Sequence, residues 1–419
     1  MALLSLNSKS PEFSWAIRKN PNSDMQVKNC RQGFLFGWFS NPQTFHSYFR
    51  EGLNVVSFKR DRREDFEYIN TSRFVSPLFV IQTIDEFFRH NIREQVKEDI
   101  GGETTLTINS IQVKVPLYIK FFREHIDKVD IEHEELGPKV FNITFKTSEP
   151  LHYLLNVVQL FSFMVILTNR DYIHLNTDMV KKYLEAMKVI VPPYFMTYLF
   201  KKHCLRKPSA FDEEKILLEN NPLYNSIELK FGGTLQNRIH EIRERTPLTA
   251  PVLDIGCGEG NYVREFSKAN KDIAYMAVDT NEVVLEKSKK VAKRNGMSNI
   301  KLYENLDQAI EEGIPEGTNV LLTEVIEHME KEEAKSLILK ILKIKNVKSL
   351  LITTPNYEFN QFYPLDGSFR HDDHKYEFIQ KEWVDFTAPL VEFGDLEYFE
   401  IGDRVNGIPT SFGLKAVKK

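Results

Sequence analysis

Ala250-Pro-Val-Leu-Asp-Ile-Gly-Cys-Gly-Glu-Gly260 runs an apolar segment straight into three glycines at alternate positions. The segment through Ile255 reads as a buried strand, and glycines 256, 258 and 260 allow a tight turn and close approach of a ligand to the backbone. A helix is expected next, over Asn261–Asn270. The pattern then repeats. Strands are expected at Ile273–Val278, Ile300–Tyr303, Val320–Thr323 and Ser349–Thr354, with helices at Glu282–Asn295 and Lys331–Ile344 between them. Strands alternating with helices of this length predict a parallel, doubly wound α/β sheet. Leu396–Ile401 and Ser411–Val417, around a turn at Asn406-Gly407, predict an antiparallel edge to it.

Upstream the pattern differs. Gly33–Phe39, Asn54–Phe58, Thr104–Val115 and Val140–Phe145 are aromatic or β-branched runs, several with period two, mixed with helical stretches at Pro77–His90, Leu151–Thr168 and Thr177–Lys188. An α+β N-terminal domain is expected over 1–207, a linker over 208–221 and the α/β domain over 222–419. No catalytic constellation is evident in the first half, and the basic cluster Lys59–Arg63 reads as a solvated turn.

With 419 residues, two domains are the natural expectation. The net charge of -4 argues against a purely electrostatic nucleic-acid binder, though a local basic cleft is compatible with it. Three scattered cysteines fit neither a disulfide framework nor a cysteine zinc site, and suit a reducing cytoplasm. The N-terminus has no signal-peptide pattern. The apolar run Leu154–Leu167, interrupted by Asn156, Gln159 and Ser162, is too short and polar to span a bilayer, so no membrane is expected.

Two further stretches lie where the strands of an open sheet end, which is where such sheets bind ligands. After the fourth strand come Glu324, Glu327 and His328, whose spacing gathers three ligand-type side chains on one turn if a helix begins there. Two carboxylates and an imidazole suit Mg or Mn better than zinc; the alternative is a solvated acidic face. After the fifth strand, Phe369-Arg-His-Asp-Asp-His-Lys-Tyr-Glu-Phe378 supplies His374 as a fourth candidate ligand, and His371. In the glycine loop, G-x-G-x-G departs from the pyrophosphate-binding spacing. Asp279, nineteen residues past Gly260, is placed to accept both ribose hydroxyls of a nucleoside. Asp254 is a candidate for the loop and an amino group, and Asn305 for adenine. Together with Gly256 and Gly258 these form the expected cofactor site, and a nucleoside without a pyrophosphate points to S-adenosylmethionine.

The combination of residues 253–260, 324–330, 353–360 and 369–378 resembles the small-RNA 3'-terminal ribose 2'-O-methyltransferases. The resemblance implies a Rossmann-like class I methyltransferase fold and a divalent metal on Glu324, Glu327, His328 and His374 that grips both hydroxyls of a terminal ribose. It also implies an RNA 3' end as substrate. His328, His371 and Arg370 are the expected catalytic group, with His371 a base and Arg370 a phosphate or loop anchor. More loosely, the first half resembles the extra domain of the bacterial RNA-repair branch, which docks on a polynucleotide kinase-phosphatase and an RNA ligase. Tyr376-Glu-Phe378 stands where that family often has Phe-Glu-Trp. A small-molecule O-methyltransferase and a mainly scaffolding subunit are the competing readings.

Overall fold

A computed structural model describes residues 3–30, 33–51, 58–60, 67–69, 75–169, 177–247, 249–367 and 369–419. The chain divides into two compact units, Met1–Cys204 and Leu205–Lys419. The segment expected as a linker is instead largely a helix, Pro208–Glu219, which starts on a proline and buries Phe211 and Leu218. Its polar composition is that of a helix surface, and proline at the first turn is a start signal rather than a breaker.

In the first unit the strands are β1 (Leu3–Ser8), β2 (Gln26–Cys30), β3 (Gly33–Asn41), β4 (Thr44–Glu51), β5 (Phe58–Arg60), β6 (Glu67–Ile69), β7 (Thr104–Gln112), β8 (Asp130–Gly137) and β9 (Val140–Thr147). Seven form one antiparallel sheet, ordered β2-β3-β4-β1-β7-β9-β8, and β5 pairs with β6 alone. Burial alternates along the strands, most regularly in β9, so one face packs on a core. There Phe49 stacks on Phe79 at 4.1 Å and Phe45 meets Phe87 and Phe88, both from helix Pro77–Arg93. Most of the Asn54–Phe58 run and of the Lys59–Arg63 cluster lies outside the described residues.

Helix Leu151–Asn169 extends the apolar run Leu154–Leu167 at both ends. At 19 residues it is long and apolar enough to cross a membrane by length and composition, yet 83% of its most apolar window is buried inside the protein. Its polar residues bond inward: Asn156 Nδ2 donates to the Ile92 carbonyl and Gln159 Nε2 to that of Lys182. A helix apolar all round is here a core helix.

The second unit contains β10 (Ile227–Glu228), β11 (Val252–Ile255), β12 (Tyr275–Val278), β13 (Ile300–Tyr303), β14 (Thr318–Thr323), β15 (Val347–Pro355), β16 (Gly394–Val405) and β17 (Ile408–Lys418). They form one sheet, ordered β10-β16-β17-β15-β14-β11-β12-β13. β11 to β15 are parallel, and β17 and β16 close the edge antiparallel. Asn406 and Gly407 adopt φ of 53° and 79° between the last two strands, the geometry a two-residue hairpin requires. Every residue of β11, β12 and β14 is buried, because helices cover both faces. Ile242, Val263, Phe266 and Leu285 form the core with Leu321 and Leu351 on one face. Ala309, Ile338, Ile341 and Trp383 do so with Leu253, Leu322 and Ile352 on the other. This is the class I methyltransferase type of sheet, and its C-terminal rim carries the turns after β11, β12, β13, β14 and β15.

Candidate metal and cofactor site at the sheet rim

The turn after β11 is shaped by backbone. Gly256, Gly258 and Gly260 all have positive φ, 71°, 54° and 79°. A Cβ on Gly256 would come within 2.4 Å of Val325 Cγ2, whereas one on Gly258 would meet nothing within 4 Å. The glycine loop therefore abuts the turn after β14 at Gly256 and opens at Gly258. Asp279 Oδ2 accepts from Gly258 N at 3.0 Å and its Oδ1 from Asn281 N at 3.0 Å, so this carboxylate fixes the loop. Asp254 is fully buried. Its Oδ2 accepts from the Tyr275 hydroxyl at 2.6 Å, while Oδ1 has no partner. Burial, with a smaller push from Asp279, raises its pKa to about 7 against the Tyr275 hydrogen bond. Burial and Asp254 also push the Cys257 thiol up to about 12, which leaves that sulfur unreactive.

Asn305 follows β13 as expected. It caps helix Leu306–Glu312, its Oδ1 accepting from Gln308 N at 3.0 Å. A capping asparagine after a strand satisfies the first turn of the following helix, and that is the work this oxygen does.

The turn after β14 is shaped by side chains. Glu324 sits alone in the left-handed region at φ 54°, and only Ile326–His328 forms a single 3-10 turn. The expected α-helical face carrying Glu324, Glu327 and His328 is therefore not formed; the break in backbone conformation at Glu324 turns it away. Its carboxylate is held by Arg238 Nη2 at 2.6 Å and by Thr353 Oγ1 at 3.0 Å. Burial would lower the Arg238 pKa, but Glu324 first, then Tyr262 and Glu327, raise it on balance. The structure brings together the ligand atoms of Glu327, His328 and His374, all within 4.8 Å of one another.

Glu327 is fully buried. Its Oε2 accepts from Thr354 Oγ1 at 3.2 Å and its Oε1 has no partner. Burial, reinforced by Glu324, pushes its pKa well above the carboxylate range. A buried carboxylate with an open oxygen is costly unless a cation compensates it. His374 Nδ1 lies 2.7 Å from Glu377 Oε1, which fixes the ring and leaves Nε2 for a ligand. Although burial opposes it, the bonds from His374, the Arg370 amide and Asn360 lower the Glu377 pKa. His328 is exposed, with Nδ1 3.2 Å from Asp373, and its ring stands edge-on to that of His374 at 4.8 Å. His371 is exposed with its ring 5.2 Å from that of His374.

Arg370 is tied into the protein on three sides: Nε donates to Asn360 Oδ1 at 2.8 Å, and Nη2 to the carbonyls of Asn356 and Thr410, both at 2.7 Å. Sequence reasoning missed Arg238, Asn360 and Glu377. The His374-x-x-Glu377 spacing could have revealed the last, since ligating histidines commonly pair with a carboxylate. No local signal ties Arg238 to a turn so far along the chain.

Residues 3–222 match the model of the Hen1 N-terminal domain, and 249–382 match that of a methyltransferase domain. The small RNA 2'-O-methyltransferase of Xenopus tropicalis is 26% identical over 150 residues, covering 34% of this chain and 41% of that protein. The Arabidopsis thaliana protein of that description is 26% identical over 173 residues, 36% of this chain and 18% of the relative. The chain thus matches less than half the length of these curated relatives. Over its full extent, a chain from a Pnkp1/Rnl/Hen1 RNA repair complex aligns with a TM-score of 0.78 at 23% identity, covering 99% of this chain and 100% of that one, which shows a shared fold. Since the Hen1 N-terminal model alone takes in more than half of the residues, ahead of a methyltransferase sheet, this chain belongs to the Hen1 family.

Proposed function

We propose that the chain transfers a methyl group from S-adenosylmethionine to the 2'-hydroxyl of the 3'-terminal ribose of RNA, with a divalent metal, Mg or Mn, at the rim of the second unit. The observation that carries this reading is the convergence of Glu327, His328 and His374 beside the glycine loop. The residues fit both groups. The partnerless Glu327 Oε1 and the oriented His374 suit a cation of intermediate hardness. The open side of Gly258, the unpaired Asp254 Oδ1 and the carboxylate of Asp279 suit a nucleoside with an amino group.

Glu327, His328 and His374 hold the metal, and Glu324 joins them if it exchanges Arg238 for it. When bound, the cation lowers the pKa of the hydroxyls it contacts. Asp254, Gly256, Gly258 and Asp279 hold the cofactor, and Glu377 is the positioning residue for His374. His371 receives the proton of the 2'-hydroxyl and passes it to solvent. A donor set that grips two vicinal hydroxyls selects a terminal ribose and rejects a DNA end. The first unit docks on a repair kinase-phosphatase and ligase, in line with the complex in which the similar chain was solved.

The test is transfer of labelled methyl to RNA ending in a 2',3'-diol or in a 2'-deoxy nucleotide, with and without chelator. Methylation of the diol alone, lost on chelation, is the expected result. Equal methylation of both, or indifference to chelator, would refute the reading.

A further inference from the structure

Residues along β3, β7 and β9 alternate between core and outward positions, and the two ends of the outward face differ. At the β8 end that face carries ordinary solvent-facing pairs: Thr107 with Thr144, hydroxyls 3.1 Å apart, and Lys146 with Glu132 at 2.7 Å. At the β2 end, three successive cross-strand pairs of β3 and β4 occupy it: Phe34 opposite Arg50, Phe36 opposite Tyr48 and Trp38 opposite His46. The inward-facing residues between them, Leu35 and Phe49, fill the core, so packing does not explain the outward rings. Phe34 remains 40% exposed and Met25 55%. The rings of Phe36 and Tyr48 lie 6.2 Å apart and those of Trp38 and His46 5.5 Å apart, tilted by 37° and 32°. His46 is held at both ring nitrogens, by Ser5 Oγ at 3.0 Å and Ser40 Oγ at 2.9 Å, which fixes the ring beside Trp38.

Among the described residues, Met25, Phe36, Trp38, Tyr48 and Arg50 line a cavity of about 350 Å³. We infer that this face is a stacking platform for the bases of single-stranded RNA. A row of rings on an open sheet matches flat bases, since same-face residues repeat at roughly 7 Å along a strand. The guanidinium at its end suits a phosphate. Rings tolerate any base, so the platform binds without sequence preference. It belongs to the first unit, and its role rests on the RNA reading above.

The test measures binding of the full-length protein to labelled oligouridine bearing a 3'-phosphate, in chelator, by fluorescence anisotropy. The blocked diol and the chelator take the terminal-ribose site out of the measurement. Trp38→Ala and Tyr48→Ala are each expected to weaken binding by roughly five- to 150-fold. Trp38→Phe should restore most of the affinity, and Arg50→Ala should reduce the salt slope by about one. Methyl transfer to a trinucleotide at saturating concentration should not change in any of these variants. Unaltered oligouridine affinity in both alanine variants would overturn the inference, as would absence of binding by the unaltered protein. So would variants that keep RNA affinity but no longer capture a kinase-phosphatase or ligase, which gives the face to a protein. Failure of the unaltered protein to methylate refutes the proposed function instead, since the binding assay requires no catalysis.

Discussion

The turns after β11 and β14 sit side by side at the same rim, yet they are specified in opposite ways. The first takes its form from three glycines in conformations that other residues adopt only with strain. The second takes its form from remote side chains: Arg238 and Thr353 on Glu324, and Thr354 on Glu327. A turn written in backbone preferences is local and can be read from a short window. A turn written in side-chain partners exists only once distant segments have come together.

The sharpest way to test this separation is Glu327→Ala. It is expected to lower methylation by more than about a hundredfold, because it removes the buried carboxylate proposed to hold the metal. Calorimetry should find cofactor affinity unchanged within a few-fold. A parallel loss of cofactor affinity would show that the two turns form one site.

Asp279→Ala is the converse. It removes the acceptor for Gly258 N and for a nucleoside ribose, at a cost of about 2–3 kcal/mol, or roughly 30- to 150-fold in cofactor affinity. Metal binding, followed by manganese titration, should stay as it was. Unaltered cofactor affinity would remove Asp279 from the site.

The two glycines sharpen the comparison further. Both have positive φ, so alanine is strained at either, but only at Gly256 would its Cβ meet Val325. Gly256→Ala should therefore be more destabilising than Gly258→Ala by about 1–3 kcal/mol in urea unfolding of the second unit. Equal losses would mean that Val325 yields freely and that the turns are not in firm contact.

The last effect is a pH dependence of stability. Burial raises the folded pKa of Asp254 to about 7 from the ordinary carboxylate value of 3.8. Between these values the folded state holds a proton that the unfolded state has released. Stability should then fall as pH rises through that window, by up to about 1.4 kcal/mol per pH unit. Asp254→Asn should flatten this slope, measured as urea midpoints at pH 5 and 7. The same slope in both proteins would assign it to other groups.

Fold and site were legible in the sequence to different degrees. Helix Lys331–Lys343 and the strands β11, β14 and β15 followed from periodicity, since a strand buried on both faces and an amphipathic helix leave distinct local patterns. Strands β1, β2, β4 and β8 of the first unit were missed, because none carries a continuous run of aromatic or β-branched residues. Helix Pro208–Glu219 was mistaken for a linker because only two of its residues are buried.

For the site, the sequence by itself determined the residue types and their place at strand ends: the glycine loop, Asp254, Asp279, Glu327, His328 and His374. Only the tertiary structure decided which oxygen or nitrogen of each remains free. It diverted Glu324 to Arg238, made Asn305 a helix cap and Arg370 a loop anchor, and set Glu377 behind His374. The reason is physical. Backbone conformation and hydrophobic period are properties of neighbours in the chain, whereas hydrogen-bond pairing of a buried group depends on whichever donor or acceptor the fold delivers to it.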